Sequence, residues 1–183
     1  MKNTSIIISI LFIGFISITF SYGQSRKYEV VFKKNIKLQI EVSDFDSTKH
    51  VISRKMIFDW SAIYKIDNKL IFGTDWDMPI TKLDKMTLKI SKFKVKLDVS
   101  SMYNPWFGDA PLQQEFKLIP IEGGYNLVGS FSDGAGSYVA EWKNINDLSI
   151  RTSLSNDESE IIKLFDNRKG ITKRTVLIKA KKE

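Results

Sequence analysis

Apolar and polar residues alternate with period two along most of the chain. In residues 35–42, Ile36, Leu38, Ile40 and Val42 interleave with Asn35, Lys37, Gln39 and Glu41. In residues 92–99, Phe93, Val95, Leu97 and Val99 interleave with Lys92, Lys94, Lys96 and Asp98. Such alternation predicts strands with one face in a core and one face in water, as in antiparallel sheets. Further strands are predicted near residues 28–32, 51–58, 85–90 and 173–179 and in the segments IYKI, KLIF, FKLIPI, YNLVGSF, YVAEW and LSIRTSL.

Turn chemistry separates these segments. Asp67-Asn68 divides IYKI from KLIF, and both residue types tolerate the positive φ of a tight hairpin. Glu122-Gly123-Gly124 and Asn144 to Asp147 divide the later pairs. The pattern predicts a mainly β chain, a single-domain antiparallel β-sandwich or open β-barrel built from hairpins. One segment differs, SNDESEIIKLFDNRKG, where Ser155 and Glu158 have capping-box spacing and Ile161, Ile162, Leu164 and Phe165 form a helical stripe. It predicts one short helix over about residues 156–168.

The first residues follow another rule. MKNTSIIISILFIGFISITFSYGQS carries one lysine, a long apolar run and small residues at Ser21 and Gly23, which predicts a signal peptide over 1–23 cut before Gln24. An uncleaved anchor is the competing reading, since the run approaches the ~20 residues of a span. Cleavage leaves 24–183 as a single exported β-rich domain, periplasmic or secreted, with no membrane span.

Composition narrows the chemistry. The chain has no cysteine, which excludes disulfides, thiolate zinc sites and thiol nucleophiles, so stability rests on packing. The only histidine, His50, cannot build a multi-histidine metal site and reads as an exposed loop residue. No G-x-S-x-G elbow occurs, and no motif implies a metal or a cofactor. Net charge is +7, with lysines clustered at Lys33, Lys34 and Lys37, from Lys82 to Lys96 and from Lys173 to Lys182. Solvated strand faces account for the clusters; an exported basic domain meets anionic envelope polymers, lipid headgroups or acidic proteins, and nucleic acid is disfavoured as a partner.

Two motifs remain. FSDGAGSYVAEW has glycines and Asp133 between strand-like flanks, without the helix or the lysine of a phosphate loop, so it reads as a hairpin turn with Asp133 bonded to its own backbone. DVSSMYNPWFGDAP places Tyr103, Asn104, Trp106 and Phe107 on one loop, which either displays its rings to a ligand or folds back as a plug over the core. The same question attends Trp60, Trp76 and Trp142. The sequence therefore favours a non-catalytic domain binding an envelope polymer, glycan or protein through Tyr103, Asn104, Trp106, Phe107 and Asp133, helped by lysine-rich strands. A small envelope-polymer hydrolase using two of Asp75, Asp77, Asp133 and Glu141 is one alternative, and a lipocalin-like carrier with an empty closed barrel is another.

Overall fold

The computed structural model describes residues 25–107, 115–166 and 175–177. The expected signal peptide, the Gly108 to Pro111 end of the aromatic loop and the lysines of the tail lie outside them. The strands in chain order are β1 (Arg26–Lys33), β2 (Ile36–Asp44), β3 (Ile52–Ile57), β4 (Trp60–Ile66), β5 (Lys69–Leu70), β6 (Thr81–Ile90), β7 (Phe93–Leu97), β8 (Phe116–Ile121), β9 (Gly124–Phe131), β10 (Tyr138–Ile145), β11 (Leu148–Ser155) and β12 (Thr175–Leu177). They form three antiparallel sheets: a five-stranded sheet β12-β1-β2-β6-β7, a four-stranded sheet β11-β10-β9-β8 and a small β3-β4-β5 meander.

The two larger sheets pack face to face because their alternating apolar positions have nowhere else to hide from water. Phe32, Ile36, Leu38, Ile40, Met86 and Leu88 from the first join Phe116, Leu118, Leu127, Phe131, Tyr138 and Trp142 from the second in one buried cluster. Burial in β2 alternates without a break from Ile36 to Val42, as the sequence pattern requires. Phe131 is stacked on Tyr138 with ring centroids 5.1 Å apart and meets Phe116 and Trp142 edge-on. Such ring pairs add about 0.5–1.5 kcal/mol each beyond the area they bury. The fold is an open sandwich with a filled core, and its sheets do not close into a barrel.

Near the end of β7 the two sheets meet through side chains. Trp142 Nε1 donates to Asp98 O at 2.9 Å, and Arg151 donates to Ser100 O at 2.7 Å and contacts Asp98 Oδ2 at 3.1 Å. Burial pushes the Asp98 carboxyl up, but hydrogen bonds from Ser100 and the Arg151 charge hold it below its ordinary value.

The helical segment begins two residues later than the expected 156–168 element, and its last two positions lie outside the described residues. Ser155 still belongs to β11, paired with Val139, and its Oγ accepts the N–H of Asp157 at 3.1 Å, ahead of the first helical residue. Asp157 caps instead, its Oδ1 accepting the N–H groups of Ser159 at 2.8 Å and Glu160 at 3.3 Å. One turn, α1 (Glu158–Ile161), passes into a wider π-type turn over Ile162–Asp166. This lays Leu164 and Phe165 on Val128 and Val139 at the outer face of the four-stranded sheet, while Ile162 leaves the stripe and is exposed.

The meander lies between β2 and β6 in sequence and is tied back to the sandwich by backbone bonds. Phe72 N–H donates to Ser101 O at 3.1 Å, Tyr103 N–H to Phe72 O at 3.0 Å and Ile63 N–H to Trp76 O at 2.8 Å. Those bonds fix the segment 72–80 against the aromatic loop, at the end of the sandwich where β1 begins and β2 finishes.

Candidate functional site

Three loops converge at that end. The segment Gly73–Ile80, the residues Asn104 to Phe107 and the loop Ser132–Gly136 enclose a cleft of about 560 Å³, with Arg26, Tyr28, Val42 and Thr81 forming the sheet side. Trp106 stands 61 % exposed on its rim, and Asp75, Asp77 and Asp133 bring three exposed carboxylates to it. Arg26, the cationic residue of the lining, is already paired with Asp44 at 3.2 Å. The lining is therefore acidic although the chain as a whole is basic.

Each loop is held by specific bonds. Asn104 has φ 39 and its Oδ1 accepts the backbone N–H groups of Ile80 at 2.9 Å and Thr81 at 3.0 Å. Asparagine suits this position because it tolerates the left-handed region and its amide oxygen replaces a missing strand neighbour. Trp106 N–H then closes a three-residue turn on Asn104 O at 2.7 Å around Pro105. That turn sends the indole outward and the next side chain, Phe107, inward to pack on Tyr28, Phe116 and Phe131. The aromatic loop thus does both things at once: Phe107 and Met102 plug the core, and Trp106 is displayed.

In the second loop Asp77 N–H donates to Thr74 O at 2.7 Å, closing a four-residue turn whose central residues Asp75 and Trp76 both have positive φ, 37° and 68°. Asparagine and glycine are the favoured residues there; a tryptophan is strained. Ser132 at the start of the third loop has φ 61. Each of the three loops of the cleft thus carries at least one non-glycine residue in the left-handed region.

Several expectations change against this geometry. Asp133 makes no capping bond to its own turn, which is a short 3₁₀ turn over Gly134–Gly136, so the carboxylate is left facing the cleft rather than spent on the backbone. Only Gly134 of the two loop glycines has positive φ; Ser132 takes the other such position. Asn104 is a positioning residue, its amide oxygen consumed by Ile80 and Thr81. Tyr103 is excluded from the cleft: it is half-buried, edge-on to Phe45 at 5.5 Å, and lines a separate hollow with His50, Asp67, Lys69 and Lys82. His50 is not a free loop residue, because Nδ1 pairs with Asp67 Oδ2 at 2.7 Å and the ring stacks on Phe45 at 4.8 Å. Glu141 cannot partner Asp133, since it sits on the outer face of β10, bonded by Asn126 at 3.1 Å and Thr152 at 3.0 Å. Trp142 is buried, while Trp60 and Trp76 are partly exposed.

A second cleft of about 230 Å³ adjoins the first across Gly73, Thr74, Asp75, Ala135 and Gly136. Trp76 and Tyr64 line it, with Lys55 Nζ 4.5 Å from the centre of the Trp76 indole. Sequence reasoning passed over Arg26, Met78 and this second cleft because each depends on contacts between distant segments. Among the described residues no helix is long and apolar enough to cross a membrane, and no three acidic or histidine side chains are grouped to hold a metal ion. No protein-family model, curated protein or solved structure matches the chain.

Proposed function

We propose that the protein is an exported, non-catalytic β-sandwich domain that binds a neutral glycan in the cleft beside Trp106. The observation carrying this reading is the convergence of one displayed indole with Asp75, Asp77 and Asp133. A sugar ring presents C–H groups that pack on an aromatic face and hydroxyls that donate to carboxylates, so an indole and several exposed acceptors meet both needs. The acidic lining disfavours polyanions in the cleft itself, which turns the choice among envelope polymers toward uncharged ones.

The three aspartates also supply a second reading, a hydrolase with paired carboxylates. A glycosidase requires one carboxyl kept protonated by its surroundings, commonly by apolar burial, and all three here are exposed. The carrier reading lacks the empty closed barrel it needs.

Length series of neutral oligosaccharides on an array, followed by calorimetry on any that bind, test the proposal. Trp106→Ala should weaken binding at least about tenfold, as loss of a central aromatic contact does. Its unfolding midpoint should stay close to wild type because the side chain is exposed. Equal binding by the variant, or none by the wild type, refutes the glycan reading; release of new reducing ends that stops in Asp133→Asn favours the hydrolase.

A further inference from the structure

The strands that lead away from the cleft end in a basic pole. Hairpins β1–β2 and β6–β7 turn side by side, with Ser91 N–H donating to Asn35 O at 2.7 Å and Asn35 Nδ2 to Ser91 Oγ at 2.9 Å. The turns expose Lys33, Lys34 and Lys92. One register step back, Lys37, Lys89 and Lys94 lie directly opposite one another across β2, β6 and β7 on the outer face of the sheet.

Like charges placed directly opposite on neighbouring strands destabilise a sheet. The same strands avoid this elsewhere, where Glu41 faces Lys85 and Lys27. At the pole the acidic residue within reach is Glu29, bonded to Lys37 at 2.7 Å and to Gln39 at 3.2 Å. The hollows around the cleft and His50 do not extend to this face. The result is a basic face made by two adjoining hairpin turns and the strands that lead into them. Phe93, 44 % exposed, stands at the β6–β7 turn beside Lys92.

We infer that this pole docks the protein on a lipid bilayer bearing anionic headgroups, with the lysines over the phosphates and Phe93 at the interface. Charge complementarity favours a surface of anionic headgroups, and an exposed aromatic ring among the turn lysines suits the boundary between headgroup and acyl region. The inference uses none of the cleft residues, so it stands or falls apart from the glycan reading. Docked in this way, the cleft points away from the membrane at the far end of β2. That is roughly 27 Å off, taking ~3.4 Å per residue along Ile36–Asp44.

The test uses the chain from Gln24 onward, which contains every described element and omits the apolar leader that would bind lipid by itself. Co-sedimentation is measured with phosphatidylcholine vesicles, with equal phosphatidylcholine and phosphatidylglycerol, and with the latter in high salt. Heparin and duplex DNA serve as soluble polyanions. Binding should require phosphatidylglycerol and fade in salt. The triple variant Lys33→Gln/Lys34→Gln/Lys92→Gln should partition about a hundredfold less, from about fivefold per lysine. Its circular dichroism should be unchanged, and Phe93→Ser should show a smaller loss. Three results each overturn the inference: equal binding to neutral vesicles, a triple variant that binds as wild type, or wild type that binds heparin or DNA but not vesicles.

Discussion

Replacing Gly73 by alanine tests how the aromatic loop is held over the core. Gly73 has φ +95, and a Cβ there would overlap the Tyr103 carbonyl oxygen and lie 2.8 Å from Tyr138 Cε1. The overlap is with backbone, so the strand segment 101–103 must move. That movement disturbs the bonds Phe72 N–H to Ser101 O and Tyr103 N–H to Phe72 O. It also threatens the bond from the fully buried Tyr138 hydroxyl to Tyr103 O, now 3.1 Å. The left-handed backbone costs alanine about 1–2 kcal/mol, two weakened backbone bonds about 1 each, and an unpaired buried hydroxyl about 1–3. Together these reach about 4 kcal/mol or more, a large part of the ~5–15 kcal/mol that holds a domain folded. Gly123→Ala is the control: φ is +73, but the nearest atom to a Cβ is 3.8 Å away, so only the backbone cost of ~1 kcal/mol remains. Guanidinium unfolding followed by tryptophan fluorescence measures both. If Gly73→Ala loses no more stability than Gly123→Ala, the close approach of Gly73 to the loop is not what the packing requires.

Phe58, at the tip of the β3–β4 hairpin, has φ 55 and is 95 % exposed, so Phe58→Gly should raise stability by about 1 kcal/mol in the same assay; a lower midpoint would contradict the strain assigned to it. Burial pushes Glu29 up, but hydrogen bonds from Lys37 and Gln39 and the charges of Lys37 and Lys89 hold it below its ordinary 4.5 in the folded state. The stability it supplies is therefore complete above that value and lost as pH falls through the depressed folded one. Lys37→Met should cost stability in urea at pH 7 and much less at pH 3; an equal cost at both would remove Glu29 from the account.

What could be read from the sequence was what depends on neighbours in the chain. Alternation located β2 and β7, and the Asp67-Asn68 turn appears with both residues at positive φ. The helix start was misplaced by two residues because Ser155 has a strand partner that no local pattern reveals. The cleft was visible only in pieces. Trp106 and Asp133 were singled out separately, and Asp75 and Asp77 as acids, but nothing local says that three loops share one space. Asn104 read as a ligand-binding residue because its two backbone donors, Ile80 and Thr81, are distant in sequence. The lysine runs were plain, yet their gathering at one pole depends on the register of β2, β6 and β7. Phe58 and Trp76 were illegible for the opposite reason: each occupies a conformation that its own residue type disfavours.

The seam at Arg151 bears on how the molecule keeps company with its own copies. β7 and β11 are the last strands of their sheets on that side, and no ladder joins them. An unpaired strand margin invites a strand from another chain. Here Arg151 and the Trp142 indole take up the carbonyl oxygens of Asp98 and Ser100 just past β7. Two side chains thus do the work of an absent strand, leaving that rim of the sandwich with fewer open acceptors for a stranger to read.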